Sequence, residues 1–363
     1  MLPAAVLFFI YQAAHISHER ARAHRKFPHD AVFEEFTLII TTENGLYCPA
    51  GDFYIDPWRT VPKAVLTHAH GDHARAGSAH YFAEASSEGV LRQRLGTDLP
   101  LTAVRYGERF QLGSTRISLH SAGHVLGSAQ IRIEGESEVW VVTGDYKRAA
   151  DPTCMPFEPI TCDVLISEAT FALPCYRWPD TQSVVRDIWR WWQGNRELGR
   201  ASVLFCYAFG KAQRVLSELM MHTDEAVYAH GAVLPLIEQY RNAGVQMLPT
   251  EPVIRDKKAE YRGALVIAPP SASGTPWMRR FGNASTGFCS GWMRIRGARR
   301  RRGYDRGFVL SDHADWPALI KTIEESRAKK ILLTHGYSDA LVRYLRERGT
   351  DAASLRTSFG DEA

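Results

Sequence analysis

Residues 67–77, THAHGDHARAG, place His68, His70, Asp72 and His73 within six positions, directly after the apolar run AVLTH. Imidazole nitrogen mixed with carboxylate oxygen is a donor set that suits Zn²⁺, with Mn²⁺ or Fe as alternative occupants. Four such side chains at this spacing cannot all reach one ion from a regular helix or strand. From a strand end and the turn after it they can divide, His68 and His70 toward one ion, Asp72 and His73 toward a neighbour. An open coordination position would then make the site catalytic. The competing reading is a surface histidine cluster in which Asp72 caps the segment that follows.

Further residues of the same kinds recur downstream, each just past an apolar, β-like run: His124 in SAGHVLGSAQ, Asp145 in VVTGDYKR and His335 in ILLTHG. His124 would complete the first set, Asp145 would bridge both ions with its two oxygens, and His335 would complete the second. Taken singly, a histidine after a strand is more often a hydrogen-bonded turn residue. Together they form a ligand set of His68, His70, Asp72, His73, His124, Asp145 and His335 for two Zn²⁺ (or Mn²⁺), with Asp72 also counted as catalytic. Asp56, in FYIDPW, is placed behind the ligands, holding a histidine in one tautomer. Two ions about 3.5–4 Å apart can share a hydroxide and lower the pKa of the water it comes from, which makes that hydroxide the nucleophile of a hydrolase. No Ser or Cys nucleophile is then required, and no GxSxG elbow is present.

The elements that must carry these side chains alternate. From Phe36 onward, FTLII, GLYCPAGDFYIDPW and AVLTHAH read as short strands, as do TRISLHSAGH, AQIRIEGESEVWVVTGDY and CDVLISEATF. Strand ends hold side chains rigidly, which suits a layered α/β sheet with its active site along one edge. Beyond LPCYRWPD, helix-like and strand-like segments alternate, from TQSVVRDIWRWWQGN and ASVLFCYAF to ALVIAPP, as in a parallel, Rossmann-like sheet. No GxGxxG follows these strands, so dinucleotide binding is not indicated. GFVLSDHAD and KKILLTHG then return to strand ends bearing acidic and histidine residues. The expected organisation is an extension over 1–30, a first domain over 31–170, an insertion over 171–302, and completion of the first domain over 303–363.

Composition fits a globular protein, 45% hydrophobic and 23% charged. Six cysteines, without a CxxC pair, read as reduced thiols in a cytoplasmic protein. Leu2–Tyr11 is apolar but half the roughly 20 residues a membrane span needs, so no membrane role is expected. The net charge of +4 is unevenly placed: Arg294, Arg296, Arg299, Arg300, Arg301, Arg302 and Arg306 fall within thirteen positions, between a Ser/Gly-rich turn and the segment carrying His313. Such a run is usually a solvated face, but arginine also suits bidentate phosphate contact. Trp277, Phe281, Phe288, Trp292 and Tyr304 surround it and could be core or could stack on bases. Lys211, where a strand meets a helix N-terminus after Phe209 and Gly210, is a further candidate phosphate contact.

HAHGDH, with His124, Asp145, His335 and the strand-end Asp56, resembles the signature of the metallo-β-lactamase superfamily. Glu168 in SEATF, His313 in SDHAD and His335 in THG are similar to the three motifs of its β-CASP branch. The phrases GDFYIDPW, GHVLGSAQ, VVTGDYKR, RGFVLSDHADW and ILLTHGY most resemble the bacterial ligase-associated DNA damage response exonucleases, from about residue 37 to the C-terminus. The resemblance implies an αββα sandwich with an inserted Rossmann-like β-CASP domain. It also implies His313 as a catalytic general acid oriented by a catalytic Glu168, and nucleic acid as partner, with Lys211 and Arg299–Arg302 as contacts. His313 also reads as a helix-start residue, with a Ser or Asp of SDHADW as N-cap before PALIKTIEE, and both readings can hold because a residue in a cap loop can also face the metals. DNA is expected over RNA, in an exonuclease of DNA repair linked to a ligase and a helicase. His335 at the third motif is what RNA-processing members tend to carry. A 3′-processing ribonuclease is therefore one alternative, and a glyoxalase- or lactamase-like small-molecule hydrolase the other.

Overall fold

The computed structural model describes residues 38–254, 261–295 and 303–355. The 1–30 extension and Arg299–Arg302 lie outside the described residues. Three sheets organise the remainder. The first pairs β1 (Ile40–Thr42), β2 (Gly45–Cys48), β3 (Phe53–Ile55), β4 (Lys63–Val65), β5 (His80–Glu84) and β6 (Leu101–Val104) in chain order. A helix, α1 (Glu88–Leu95), lies between the last two strands.

The second sheet contains β7 (Arg109–Leu112), β8 (Thr115–Ser121), β9 (Ala129–Glu134), β10 (Val139–Val142) and β11 (Val164–Glu168). It is completed from the far end of the chain by β18 (Lys330–Thr334) and β19 (Asp351–Ser354), in the order β19-β18-β11-β10-β9-β8-β7. β7 to β10 are antiparallel, whereas β11 runs parallel to both β10 and β18. A strand with parallel neighbours on each side is covered on both faces, and all five residues of β11, VLISE, are buried. Leu46 and Ile55 of the first sheet and Val142 and Ile166 of the second line one narrow cleft, so the inner faces of the two sheets oppose each other.

The third sheet is built from the intervening chain: β12 (Ser202–Phe205), β13 (Val227–Ala229), β14 (Thr250–Pro252), β15 (Leu265–Ala268), β16 (Ser285–Cys289) and β17 (Arg306–Phe308), ordered β14-β13-β15-β12-β16-β17. Every pairing described in it is parallel. Its helices are α2 (Thr181–Glu197), α3 (Lys211–Glu218) and α4 (Leu234–Asn242). α2 is capped by Asp180, which accepts from Ser183 N, and buries Val184, Val185, Ile188, Trp191, Trp192 and Asn195 along one face. The mixed α/β architecture expected from the sequence is the one observed, with two differences of detail. The Ser/Gly-rich stretch before the arginine run is the strand β16, not a turn. At Gly287 a Cβ would meet Phe308, Leu204 and Trp191 at 3.0–3.1 Å, so the missing side chain is what admits the strand. The third sheet also extends past residue 302, because β17 pairs with β16.

The chain then forms α5 (Trp316–Ser326), β18, α6 (Ser338–Arg346) and β19. Asp315 caps α5, accepting from Ala318 N at 3.0 Å. Of the aromatics around the arginine run, Phe288 is fully buried, 5.1 Å from the Tyr304 ring, and Phe281 is buried against Tyr261 and Trp277. These two are core, which removes them as stacking surfaces. All six cysteines are free. Among the described residues no helix is long and apolar enough to cross a membrane.

Candidate metal centre

Five strand ends meet at one place. β4 leads to His68, β8 to His124, β10 to Asp145, β11 ends on Glu168, and β18 leads to His335. The β11–β18 register sets Glu168 opposite Thr334, one residue before His335. Sequence distance is thereby converted into proximity by strand pairing alone.

His68, His70, His124 and Asp145 bring four donor atoms within 4.8 Å of one another. His124 Nε2 lies 3.1 Å from His70 Nδ1, while Asp145 Oδ2 lies 3.5 Å from His68 Nε2 and 3.7 Å from His124 Nε2. A tetrahedral ion with ligands at about 2.0–2.2 Å holds its donors roughly 3.3–3.5 Å apart, so this spacing suits one. His68 Nε2 is buried and has no hydrogen-bond partner among the described residues. A buried nitrogen left without a partner is costly unless something binds it. The opposite ring nitrogens are engaged by the chain: His68 Nδ1 lies 3.0 Å from Thr67 Oγ1, His70 Nε2 3.3 Å from the Phe209 carbonyl, and His124 Nδ1 2.7 Å from the Asp312 carbonyl. Each outer contact leaves the inner nitrogen directed at the cluster.

The second set is arranged differently. His73 Nε2 lies 3.6 Å from Asp145 Oδ2 and 3.7 Å from Asp72 Oδ2, and the ring centroids of His73 and His335 are 5.5 Å apart. Asp145 Oδ2 is thus shared between the two sets. Asp56 acts behind His73, its Oδ2 2.7 Å from Nδ1, and its carboxylate also accepts from Thr67 N (2.8 Å) and Thr67 Oγ1 (2.5 Å). Asp56 and His335 both adopt left-handed backbone, φ 42° and 60°, which Asp and His tolerate better than branched residues. Gly336 follows at φ 58°, where a Cβ would stand 2.4 Å from the Ala169 carbonyl. This turn therefore passes too close to β11 for any side chain.

Electrostatics separate the rings. Burial holds His68 and His124 well below the ordinary imidazole range and lowers His70 and His335 to about 4. His73 is also buried, but Asp145 and Asp56 outweigh burial and push it up to about 10. His313 behaves like His73: burial opposes its charge, yet Glu168 and Asp145 raise it to about 9. His313 Nδ1 lies 3.0 Å from Glu168 Oε2, and Tyr146 N donates to Glu168 Oε1 at 2.7 Å. The His313 ring is partly exposed and lines, with His70, Asp72, His124, Asp145 and His335, a cavity of about 490 Å³. Phe171, Tyr207, Phe209 and Trp292 form its aromatic wall.

Asp315, one of the candidate caps in SDHADW, caps α5, and His313 in the same loop faces the cavity, as the sequence allows. One expectation changes. Lys211 is not a surface cation: it is buried at 2% exposure, its Nζ 2.6 Å from Asp312 Oδ1. The sequence reading missed Asp312, Arg214, Lys147 and Asp151, which join Lys211 in one buried ion network. The only signal for them was an unusual density of charge within segments otherwise apolar.

No family model matches the chain. Over 318 residues it is 31% identical to the "Probable DNA ligase" of Opitutus terrae, a match covering 86% of this chain and 30% of that protein. It is 28% identical to RNase aCSPSF2 of Saccharolobus solfataricus over 43% of this chain and 37% of that protein. It is likewise 28% identical to Ribonuclease TTHA0252 of Thermus thermophilus over 50% and 46% respectively. The chain thus spans less than half the length of these relatives. A crystal structure of a protein of unknown function from Enterococcus faecalis V583 superposes with a TM-score of 0.56 at 12% identity, covering 82% of this chain and 80% of that one, which is a likeness of fold. With the HAHGDH turn, the strand-end ligands and these relatives together, the chain belongs to the β-CASP branch of the metallo-β-lactamase superfamily.

Proposed function

We propose that the protein is a two-metal phosphodiester hydrolase acting on nucleic acid. The observation that carries this is the convergence of four histidines, His68, His70, His73 and His124, on Asp145, with Asp72 and His335 next to His73, beside the His313–Glu168 pair. His68, His70, His124 and Asp145 would hold one Zn²⁺, and Asp72, His73, Asp145 and His335 the other. Bound there, such ions supply Lewis acidity to a water and to phosphoryl oxygens.

The chain's own contribution follows from its side chains. Glu168 keeps His313 protonated at neutral pH, with Nδ1 held toward the carboxylate. His313, on the cavity wall, is then poised to give a proton to a leaving alkoxide, help worth about 10²–10⁴ in rate. Asp72 and His335 line the same cavity and would confront the scissile phosphate. Phe171, Tyr207, Phe209 and Trp292 give it an aromatic wall suited to an unstacked base. Arg299–Arg302 would receive the flanking phosphates, since the run begins a few residues after Trp292, a residue of the cavity wall.

DNA is the favoured substrate, cleaved from an end in a cytoplasmic repair reaction that also uses a ligase and a helicase. Support comes from the relative named a probable DNA ligase, in which the region similar to this chain makes up 30% of the protein. RNA is the second reading, favoured by the relatives named as ribonucleases and by histidine at position 335. Incubating end-labelled single-stranded DNA, duplex DNA and RNA with wild type and His68→Ala separates these. Laddering from one end of DNA, lost in the variant, is expected; RNA cleaved in preference reverses the substrate, and full activity in His68→Ala removes the two-metal reading.

A further inference from the structure

α3 is unusual in that all eight of its residues are buried, including Lys211, Gln213, Arg214 and Glu218. It begins at Gly210, φ 86°, where a Cβ would stand 2.4 Å from Val125 Cγ1, the residue after His124. The helix is thus set directly against the ligand turn. Its cations end on the residue before His313. Lys211 Nζ lies 2.6 Å and Arg214 Nη1 3.2 Å from Asp312 Oδ1, and Arg214 Nη1 donates to the Ser311 carbonyl at 2.7 Å. Lys147, which follows Asp145 by two positions, lies 3.9 Å from Asp312 Oδ1, pairs with Asp151, and donates to the His124 carbonyl at 3.5 Å. Asp151 and Glu218 also face Arg214.

The network contains three cations, Lys147, Lys211 and Arg214, against three carboxylates, Asp151, Glu218 and Asp312. Charges buried in this way are stable only while matched. It reaches a metal-facing ring through the backbone of Asp312, whose carbonyl lies 2.7 Å from His124 Nδ1. That contact makes Nδ1 the donor and leaves Nε2 free toward His70 and Asp145.

We infer that Lys211 is a positioning residue for the metal centre: it fixes Asp312, and through the Asp312 carbonyl it fixes the tautomer and orientation of His124. The inference rests on the ligand assignment proposed above but not on the substrate. Lys211 and Asp312 also line the cavity beside the proposed ligands, so a helix of the third sheet becomes part of the metal site, and the two parts of the chain must be docked for the first ligand set to be complete. Lys211→Met keeps the length of the stem and removes the charge. Lys211→Arg restores a cation.

Competition of the metal-free protein with a chromophoric chelator measures Zn²⁺ affinity, and nuclear magnetic resonance detects the His124 Nδ1–H proton, assigned by its absence in His124→Asn. Lys211→Met is expected to weaken binding of one Zn²⁺ equivalent by about 10–100-fold, the usual effect of losing a ligand's outer support, and to lose the sheltered proton signal. Lys211→Arg recovers most of both. KM for oligonucleotide stays within about twofold. If Lys211→Met does not fold, the pair Lys211→Met with Asp312→Asn removes one charge of each sign and leaves none unmatched; it is expected to fold and to show the same loss. A folded variant of either kind with unchanged zinc affinity and an unchanged His124 proton overturns the inference. So does a raised KM with unchanged affinity, which would make Lys211 a substrate contact. Because affinity and the proton signal need no substrate, a wild type that cleaves no nucleic acid yet shows these responses supports the positioning role while removing the nuclease reading.

Discussion

The two ligand sets proposed around Asp145 are built from the same residue types but held in different ways. His68, His70 and His124 have their outer nitrogens engaged by Thr67 and by the Phe209 and Asp312 carbonyls; His68 and His124 are fully buried and His70 half-buried at the cavity wall. Burial keeps all three neutral at pH 7, so their inner nitrogens are ready to bind. In the second set the Asp72 side chain is 52% exposed, and His73 carries a proton that a metal must displace. The contrast teaches that one half is prearranged by the fold, while the other is completed by the ion itself.

The comparison breaks most completely at His68. His68→Ala is expected to abolish hydrolysis and one equivalent of zinc, whereas Asp72→Ala should lose only the weaker equivalent; activity and metal content measured on the same preparations decide it. His313, Glu168 and Asp145 also bring donor atoms within 4.8 Å of one another, so His313→Ala separates a proton donor from a ligand. kcat should fall by about 10²–10⁴ with two zinc equivalents retained. Asp56→Asn weakens the orienting partner of His73 and is expected to cost about 10–100-fold in affinity for the second equivalent alone, read by chelator competition.

The smallest effect concerns protons. In the metal-free protein His73 should titrate near pH 10 and His70 near pH 4, separable by nuclear magnetic resonance. The folded pKa of His73 lies above its unfolded value of about 6.5. Its protonation therefore stabilises the metal-free fold fully below pH 6.5, and this contribution is lost as pH rises through 10. By the same linkage, affinity for the second equivalent should rise between pH 7 and 10, by at most about tenfold per unit, while the first stays flat.

Much of this centre was legible in the sequence because strand-end histidines and aspartates follow apolar runs that can be recognised locally. His70, Asp72, His124, Asp145 and His335 line one cavity for that reason, with His68 and His73 against Asp145. The His313–Glu168 pair was legible only by resemblance, since 145 positions separate the two and no local pattern links them. The ion network was not legible. A lysine at a helix start ordinarily reads as a solvated cation or an anion site, and nothing local says that Lys211 points inward at Asp312, 101 positions later. The strand β16 was not legible for a related reason: its small residues do not look like a strand until Trp191, Leu204 and Phe308 are seen to need the space at Gly287.

The inequality of the two halves is tested most directly by titrating Zn²⁺ into the metal-free wild type and Asp72→Ala at pH 7 in a calorimeter. Two equivalents are predicted for wild type, one tight and one weaker, and Asp72→Ala is predicted to keep the tight one alone. Two equivalents of equal affinity, or loss of the tight equivalent in Asp72→Ala, would contradict the account.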